Sequence, residues 1–359
     1  VFYHIFYQYL SESISWLNVF KYQTFRAMVS FLFSFAVVLI LEPLFIKWLD
    51  ARGVKGQPIR DDGPKAHEVK RGTPTMGGIV IVGAVVLSSL LWCDLTNRHV
   101  WFSLFVMMGY AYLGFLDDWS KVTKQTSAGL TERQKLIWQT AIAGVGVLLL
   151  VATGLPTDVT VPFTKGVILP LGLLFIPFAI FVVVGTSNAV NLTDGLDGLA
   201  IGSVMTCAGT YAAFVYAAGH AEISKYLNIE YTSQVGELCV VLSGVVAGGL
   251  GFLWYNTYPA QVIMGDVGAL ALGGLLGYVA VIAKQELILV VAGGIFVIET
   301  LSVIIQRYSY KLRKKRVFKM APIHHHFELI GWPEPKIIVR FWIISIVLAL
   351  IALSSLKIR

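Results

Sequence analysis

The chain alternates long apolar runs with short polar connections. Ten runs stand out, over residues 26–49, 76–93, 99–116, 134–153, 168–187, 198–217, 235–255, 267–283, 287–306 and 337–356. A helix needs about 20 apolar residues to cross a bilayer core, a tilted barrel strand only about ten. Backbone polar groups in lipid must be satisfied internally, by helices or by a closed barrel. These runs are far too long for barrel strands. The pattern therefore predicts an all-α, polytopic membrane protein with about ten transmembrane helices. Between the fourth and fifth runs, GLPTDVTVPFTKG (residues 154–166) places β-branched residues between turn formers and predicts a small hairpin.

Composition agrees. Of 359 residues, 56% are hydrophobic and 14% charged, against roughly 25% charged in a soluble domain. There is no internal repeat and no low-complexity tract, so a single membrane domain over 1–359 is the simplest division. Cys93, Cys207 and Cys239 lie in or beside apolar runs without paired spacing. That argues against a disulfide framework or a cysteine metal site. The opening stretch VFYHIFYQYLSESISWLNVF is aromatic-rich, with no basic head and no small-residue cleavage site. It reads as an interfacial segment and not as a cleaved signal peptide.

Charge then gives sidedness. The formal net charge is +7, which in a soluble chain would suggest nucleic acid. Here the cations follow topology. Nineteen Lys and Arg fall in the loops after the first, third and ninth runs, and eight on the other face. Cytoplasmic loops carry such an excess, so both termini are predicted to be periplasmic. Arg340, just inside the tenth run, can snorkel towards the cytoplasm. GFLDDWSK, NAVNLTDGLDGLA, FLWYNTYPAQVIMGDVG and APIHHHFE then all lie on the cytoplasmic face.

These segments hold the candidate chemistry. Asp117 and Asp118 follow the third run, at what reads as a helix C-terminus, where the helix dipole disfavours carboxylates. Paired carboxylates suit a divalent cation and a proton acceptor; a solvated loop is the alternative. Lys121 could neutralise them or meet a phosphate. Asp266 opens the eighth run, as an N-cap or beside a phosphate at a helix N-terminus. Asn188, Asn191, Asp194 and Asp197 follow one another at three-residue intervals. Asp194 and Asp197 could form a capping box, but that leaves the asparagines, Gly195 and Gly198 unexplained. A wall of a ligand pocket between two helices accounts for all of them. His324, His325 and His326 are consecutive and lack zinc-ligand spacing, so one or two rings donating to phosphate or substrate is the better reading. The basic run before them is topogenic or holds anionic lipid. In HEVKRGTPTMGG, Lys70 and Thr75 precede a helix start and suit a phosphate or uracil contact; a solvated loop is the alternative. Inside the runs, Glu42, Glu299 and Gln306 stand out. Intramembrane ionisable groups suggest function by default, yet the sequence offers no physical account of Glu299.

Together, HEVKRGTPTMGG, GFLDDWSK, NAVNLTDGLDGLA, PAQVIMGDVGAL and APIHHHFELIGWPEPKIIVRFWI closely resemble the bacterial phospho-N-acetylmuramoyl-pentapeptide transferases, of the polyprenyl-phosphate N-acetylhexosamine-1-phosphate transferase superfamily. The resemblance covers nearly the whole chain. The aspartate motifs mark the superfamily, and the triple histidine with PEPK marks the muramoyl branch. The resemblance implies ten transmembrane helices, a homodimer and Mg²⁺. It implies the reaction of undecaprenyl phosphate with UDP-MurNAc-pentapeptide to give lipid I and UMP at the inner membrane. It assigns catalysis to Asp117, Asp118 and Asp266, with Asp266 on the metal and Asp117 as proton acceptor. Lys70, Gly195, Leu196 and Asp197 would line a uridine pocket. Thr75, Asn191, Asp194 and Gly265 would lie towards the diphosphate. His324 and His325 would face substrate, and Lys121 and Lys135 would neutralise phosphate. Ile263 departs from the family, which often has Phe there; Ile cannot stack on uracil. A sibling enzyme using another UDP-sugar and an ion or metabolite transporter are the rival readings. Transporter sites lie at the bilayer midplane, whereas these aspartates gather at one face.

Overall fold

The computed structural model describes residues 1–52, 56, 72–124, 129–164 and 166–358. Its helices, in chain order, are α1 (Gln23–Ala51), α2 (Gly78–Trp92), α3 (Arg98–Lys124), α4 (Glu132–Ala152), α5 (Phe175–Thr193), α6 (Leu199–Ala218), α7 (Ala221–Leu227), α8 (Leu238–Asn256), α9 (Gly265–Ile282), α10 (Leu289–Ala292), α11 (Gly294–Arg313), α12 (Ile323–Leu329) and α13 (Glu334–Ser354). Among the described residues the only sheet is the antiparallel pair β1 (Asp158–Thr160) and β2 (Ile168–Pro170). A π-helical turn (Tyr3–Tyr9) and a 3-10 turn (Ser15–Lys21) precede α1.

Among the described residues, eight helical segments are long and apolar enough to cross a membrane, those containing α1, α3, α4, α5, α6, α8, α9 and α13. Each overlaps a predicted run. The second run forms the apolar α2, of 15 residues. The ninth is interrupted at Gly293, giving α10 and then α11, which continues to Arg313. The chain is thus an all-α polytopic membrane protein.

Several boundaries differ from expectation, each for a physical reason. α3 does not end before Asp117 but runs on to Lys124. Lys121 and Lys124 occupy its last turn, where cations offset the dipole. The hairpin extends past residue 166, because residues 168–170 pair as β2, and α5 begins only at Phe175. The capping box at Asp194 and Asp197 does not form: Gly198, at φ 76°, precedes α6 instead.

The core is built around α9. Every one of its residues except Asp266 is buried. α3 and α5 flank it, and α2 crosses near its start. Lipid gives no hydrophobic drive for helices to associate, so small residues must let backbones meet. A Cβ on Gly273 would lie 2.8 Å from Ser187 Cα of α5, and one on Gly78 would lie 2.4 Å from Gly268 Cα of α9. At the far end of the bundle Arg26 and Glu237 form a buried two-pronged ion pair. There too, Lys284 Nζ donates to the Pro156 and Asp158 carbonyls and so ties down the hairpin. The opposite end holds the polar segments singled out above.

Candidate active site

Four helices converge on a cluster of carboxylates. α3 brings Asp117, Asp118 and Lys121, α4 brings Lys135, α5 brings Asn191 and α9 brings Asp266. One oxygen from each aspartate lies within 4.8 Å of the other two, and among the described residues no other group of three His, Cys, Asp or Glu side chains gathers so. Lys121 Nζ stands 2.6 Å from Asp117 Oδ2, 3.1 Å from Asp266 Oδ2 and 3.6 Å from Asp118 Oδ1. Lys135 Nζ reaches Asp266 Oδ2 at 2.7 Å and Asp117 Oδ2 at 3.1 Å. Asn191 Nδ2 donates to Asp266 Oδ1 at 2.7 Å.

The aspartates are largely removed from water: Asp117 and Asp118 are 1% and 0% exposed. Three carboxylates against two ammonium groups leave excess negative charge in a dry place. Such charge is costly unless compensated, so the cluster favours a further cation. Hard oxygen donors of this kind suit a divalent metal ion. Thr75 Oγ1, buried beside the cluster with no hydrogen-bond partner among the described residues, adds one more oxygen.

Local backbone geometry fixes the cluster. Val267 N donates to Asp118 Oδ2 at 3.2 Å, locking α3 to the first turn of α9. The positive end of that helix therefore faces the carboxylates. Gly265 has φ 75°, and a Cβ there would lie 2.5 Å from Asp118 Oδ2 and 2.9 Å from Thr75 Oγ1. Only glycine fits. Three backbone bonds zip the strand-like segment before α2 to the one before α9: Ile263 N to Pro74 O, Gly77 N to Ile263 O and Gly78 N to Met264 O. This pairing brings Thr75 to Gly265 and leaves Ile263 half-buried. Leu130 N donates to Asp117 Oδ1 at 2.7 Å.

The turn between α5 and α6 adjoins the cluster through Asn191. A three-residue step on a helix rotates a side chain by about 60°, so the evenly spaced polar residues diverge. Asn188 does not join the pocket wall; its Nδ2 donates to Gln139 Oε1 at 2.7 Å inside the bundle. Asn191 meets Asp266. Asp194 caps α5, with its N–H on Asn191 O. Asp197 is 5% exposed, and its Oδ2 accepts from Ala260 N at 3.0 Å. Leu196 packs among Leu199, Ile295, Ile337, Ile338 and Phe341.

Three residues not singled out from sequence hold this turn. Glu334 Oε1 accepts from Asp197 N at 2.9 Å, Asn256 Oδ1 accepts from Gly198 N at 2.9 Å, and Trp342 Nε1 donates to Gly198 O at 3.1 Å. Asn256 and Glu334 lie within motifs quoted above, at the polar end of apolar runs. That was their signal; their partner, a backbone turn, is far away in sequence.

The histidines separate. Consecutive residues on a helix point about 100° apart, and α12 sends its three rings to three partners. His324 is 0% exposed, with Nδ1 3.0 Å from Glu299 Oε2. His325 Nδ1 is 2.7 Å from Glu328 Oε2. His326 Nδ1 accepts from Lys319 N at 3.1 Å. The His324 ring presses on the α5–α6 turn, for a Cβ on Gly195 would lie 2.3 Å from its Nε2. Asp117, Asp118, Lys121, Lys135, Asn191 and Asp266 are thus one network. Thr75 and Gly265 border it, and Gly195 with His324 stands one helical turn away. Lys70 lies outside the described residues.

Comparison with known proteins places the chain in a family. A family model for glycosyl transferase family 4 covers residues 100–284, and a phospho-N-acetylmuramoyl-pentapeptide-transferase signature covers residues 70–82. Proteins named phospho-N-acetylmuramoyl-pentapeptide-transferase from Citrifermentans bemidjiense and a Geobacter species are each 54% identical to this chain over 358 residues, 99% of both chains. One from Pelobacter propionicus is 53% identical over the same span. With this identity along its whole length and the signature in its first polar loop, the chain belongs to the phospho-N-acetylmuramoyl-pentapeptide transferase family.

Proposed function

We propose that this chain transfers phospho-MurNAc-pentapeptide from UDP-MurNAc-pentapeptide to undecaprenyl phosphate, giving lipid I and UMP. The observation that carries the reading is the buried network of Asp117, Asp118, Asp266, Lys121 and Lys135 at one end of a membrane bundle. One substrate comes from water and the other from lipid, so the reaction needs such a boundary.

In the transfer, a lipid phosphate oxygen bonds to the sugar-linked phosphorus, and the bond from that phosphorus to the UMP oxygen breaks. Asp117 takes the proton of the attacking phosphate, at the Oδ2 that faces Lys121 and Lys135. The two lysines then turn to phosphate oxygens and neutralise the charge that gathers there. Asp118, bonded to Val267 N, keeps α3 and α9 in register. Asn191 orients Asp266. Gly195 and the buried Leu196 and Asp197 form the turn beneath the nucleotide. Asp194, Thr75, Gly265 and Lys70 border it, and His324 and His325 stand on the sugar side. The carboxylate set fits Mg²⁺, with Asp266 its principal holder; when bound, it would supply Lewis-acid neutralisation of the diphosphate.

The same reading makes the chain one domain with ten spans, α2 and the broken α10–α11 segment included. It places both termini in the periplasm, the site on the cytoplasmic face of the bacterial inner membrane, and the enzyme in a homodimer. The excess of basic residues in the loops on the site's side supports this sidedness, and the resemblance supports the dimer.

The test is a choice of donor. Purified protein is given undecaprenyl phosphate, Mg²⁺ and either UDP-MurNAc-pentapeptide or UDP-GlcNAc, and UMP is measured. Release with the muramoyl donor alone is expected. Release with UDP-GlcNAc alone would move the chain to a sibling activity.

A further inference from the structure

Glu299 has no place in the scheme above, yet it is buried in the first half of α11 at 0% exposure. A carboxylate so placed is costly without a partner. Among the described residues its one ion-pair partner is His324, at 3.0 Å and equally buried. That contact is an ion-pair approach without hydrogen-bond geometry, and among the described residues neither ring nitrogen has a hydrogen-bond partner; Nε2 is the one turned away from the carboxylate. It points to Gly195, in the turn that follows Asn191 and its contact to Asp266. A polar atom fully buried, unpartnered and aimed at the substrate side of a site is an atom awaiting a ligand group.

The chemistry of imidazole connects these facts. A carboxylate at Nδ1 keeps a proton on that nitrogen, and so fixes both the tautomer and the ring plane. It also stabilises the ring when Nε2 gains a proton and presents N–H to an anionic oxygen. Glu299 sits on α11, His324 on α12 and Gly195 between α5 and α6, so the pair also joins three parts of the fold at this point.

We propose that Glu299 is a positioning residue for the transfer: through Nδ1 it orients His324, whose Nε2 then serves an anionic oxygen of the nucleotide-sugar substrate. This rests on the reading that the substrate lies along the α5–α6 turn.

The test is a double-mutant cycle on the full-length protein in detergent, with Glu299→Gln, His324→Gln and both together. Lipid-dependent UMP release is measured for kcat and for KM of the nucleotide substrate. Residues that support a ligating or reacting histidine typically matter about 10- to 100-fold. Glu299→Gln should therefore lower kcat about tenfold or more and leave KM within about threefold. The double variant should be no slower than His324→Gln alone. Glu299→Asp, which keeps the charge, should recover part of the rate, and it carries the test should the Gln variant not fold. Wild-type turnover in Glu299→Gln, or losses that multiply in the double variant, would overturn the proposal. A wild-type protein without lipid-dependent UMP release would instead overturn the transferase reading beneath it.

Discussion

At Gly195 the space a side chain would need is taken by the imidazole of His324. In the sequence Gly195 belongs to the wall of a ligand pocket; in the structure a buried ring lies against it. Gly195→Ala should push the ring away from the turn. Misplacement by about 1 Å at a reacting centre can cost about 100-fold, so a 10- to 100-fold loss of UMP release is expected, with little change in thermal unfolding. Unchanged turnover would contradict the placement of His324. The resemblance assigns Asp197 to a uridine pocket; in the structure its Oδ2 accepts from Ala260 N and ties the turn to the segment before α9. Which of four evenly spaced polar residues faces the site depends on where their distant neighbours lie. Gln139 and Ala260 decide it, and spacing alone cannot reveal them.

Helices were legible wherever an apolar run met a clear breaker. The ends were not. α3 extends past Asp117 because Lys121 and Lys124 stabilise its last turn, and Lys121 bridges back to Asp117 four residues earlier. A charged helical end reads as loop in a search for apolar runs. The ninth run hides its interruption at Gly293, since Leu and Val continue on both sides of it. The crossing of α2 with α9 depends on Gly78 meeting Gly268 nearly backbone to backbone. That same crossing anchors the segment carrying Thr75 and Gly265. Gly78→Leu should force the helices apart. Overpacking of this kind costs about 1–3 kcal/mol, visible as a lower unfolding temperature in detergent with activity reduced alongside. A variant as stable and as active as wild type would show that the crossing tolerates separation and does not position the site.

At the scale of the whole molecule, the two ends of the bundle differ in kind. The far end pairs its charges one to one, Arg26 with Glu237 and Lys284 with Glu286, and Lys284 also donates to two carbonyls. The near end gathers three carboxylates and two lysines whose charges do not balance, beside a buried hydroxyl and an imidazole that make no hydrogen bond among the described residues. What sets the near end apart is its excess of buried negative charge, which favours a further cation. The motif segments were legible as belonging to one face because the basic loops gave the sidedness. That they meet at one point was not, since four loops can share a face and remain apart. The central claim is that this meeting point is a metal-dependent phosphosugar transfer centre. The most direct test is UMP release by the purified protein from UDP-MurNAc-pentapeptide, with and without undecaprenyl phosphate and with and without EDTA. The assay is repeated for folded Asp117→Asn and Asp266→Asn. Release that requires the lipid, stops with EDTA, resumes with Mg²⁺ and falls at least about 100-fold in both variants is predicted. Full turnover in either variant, or release indifferent to EDTA, would contradict it.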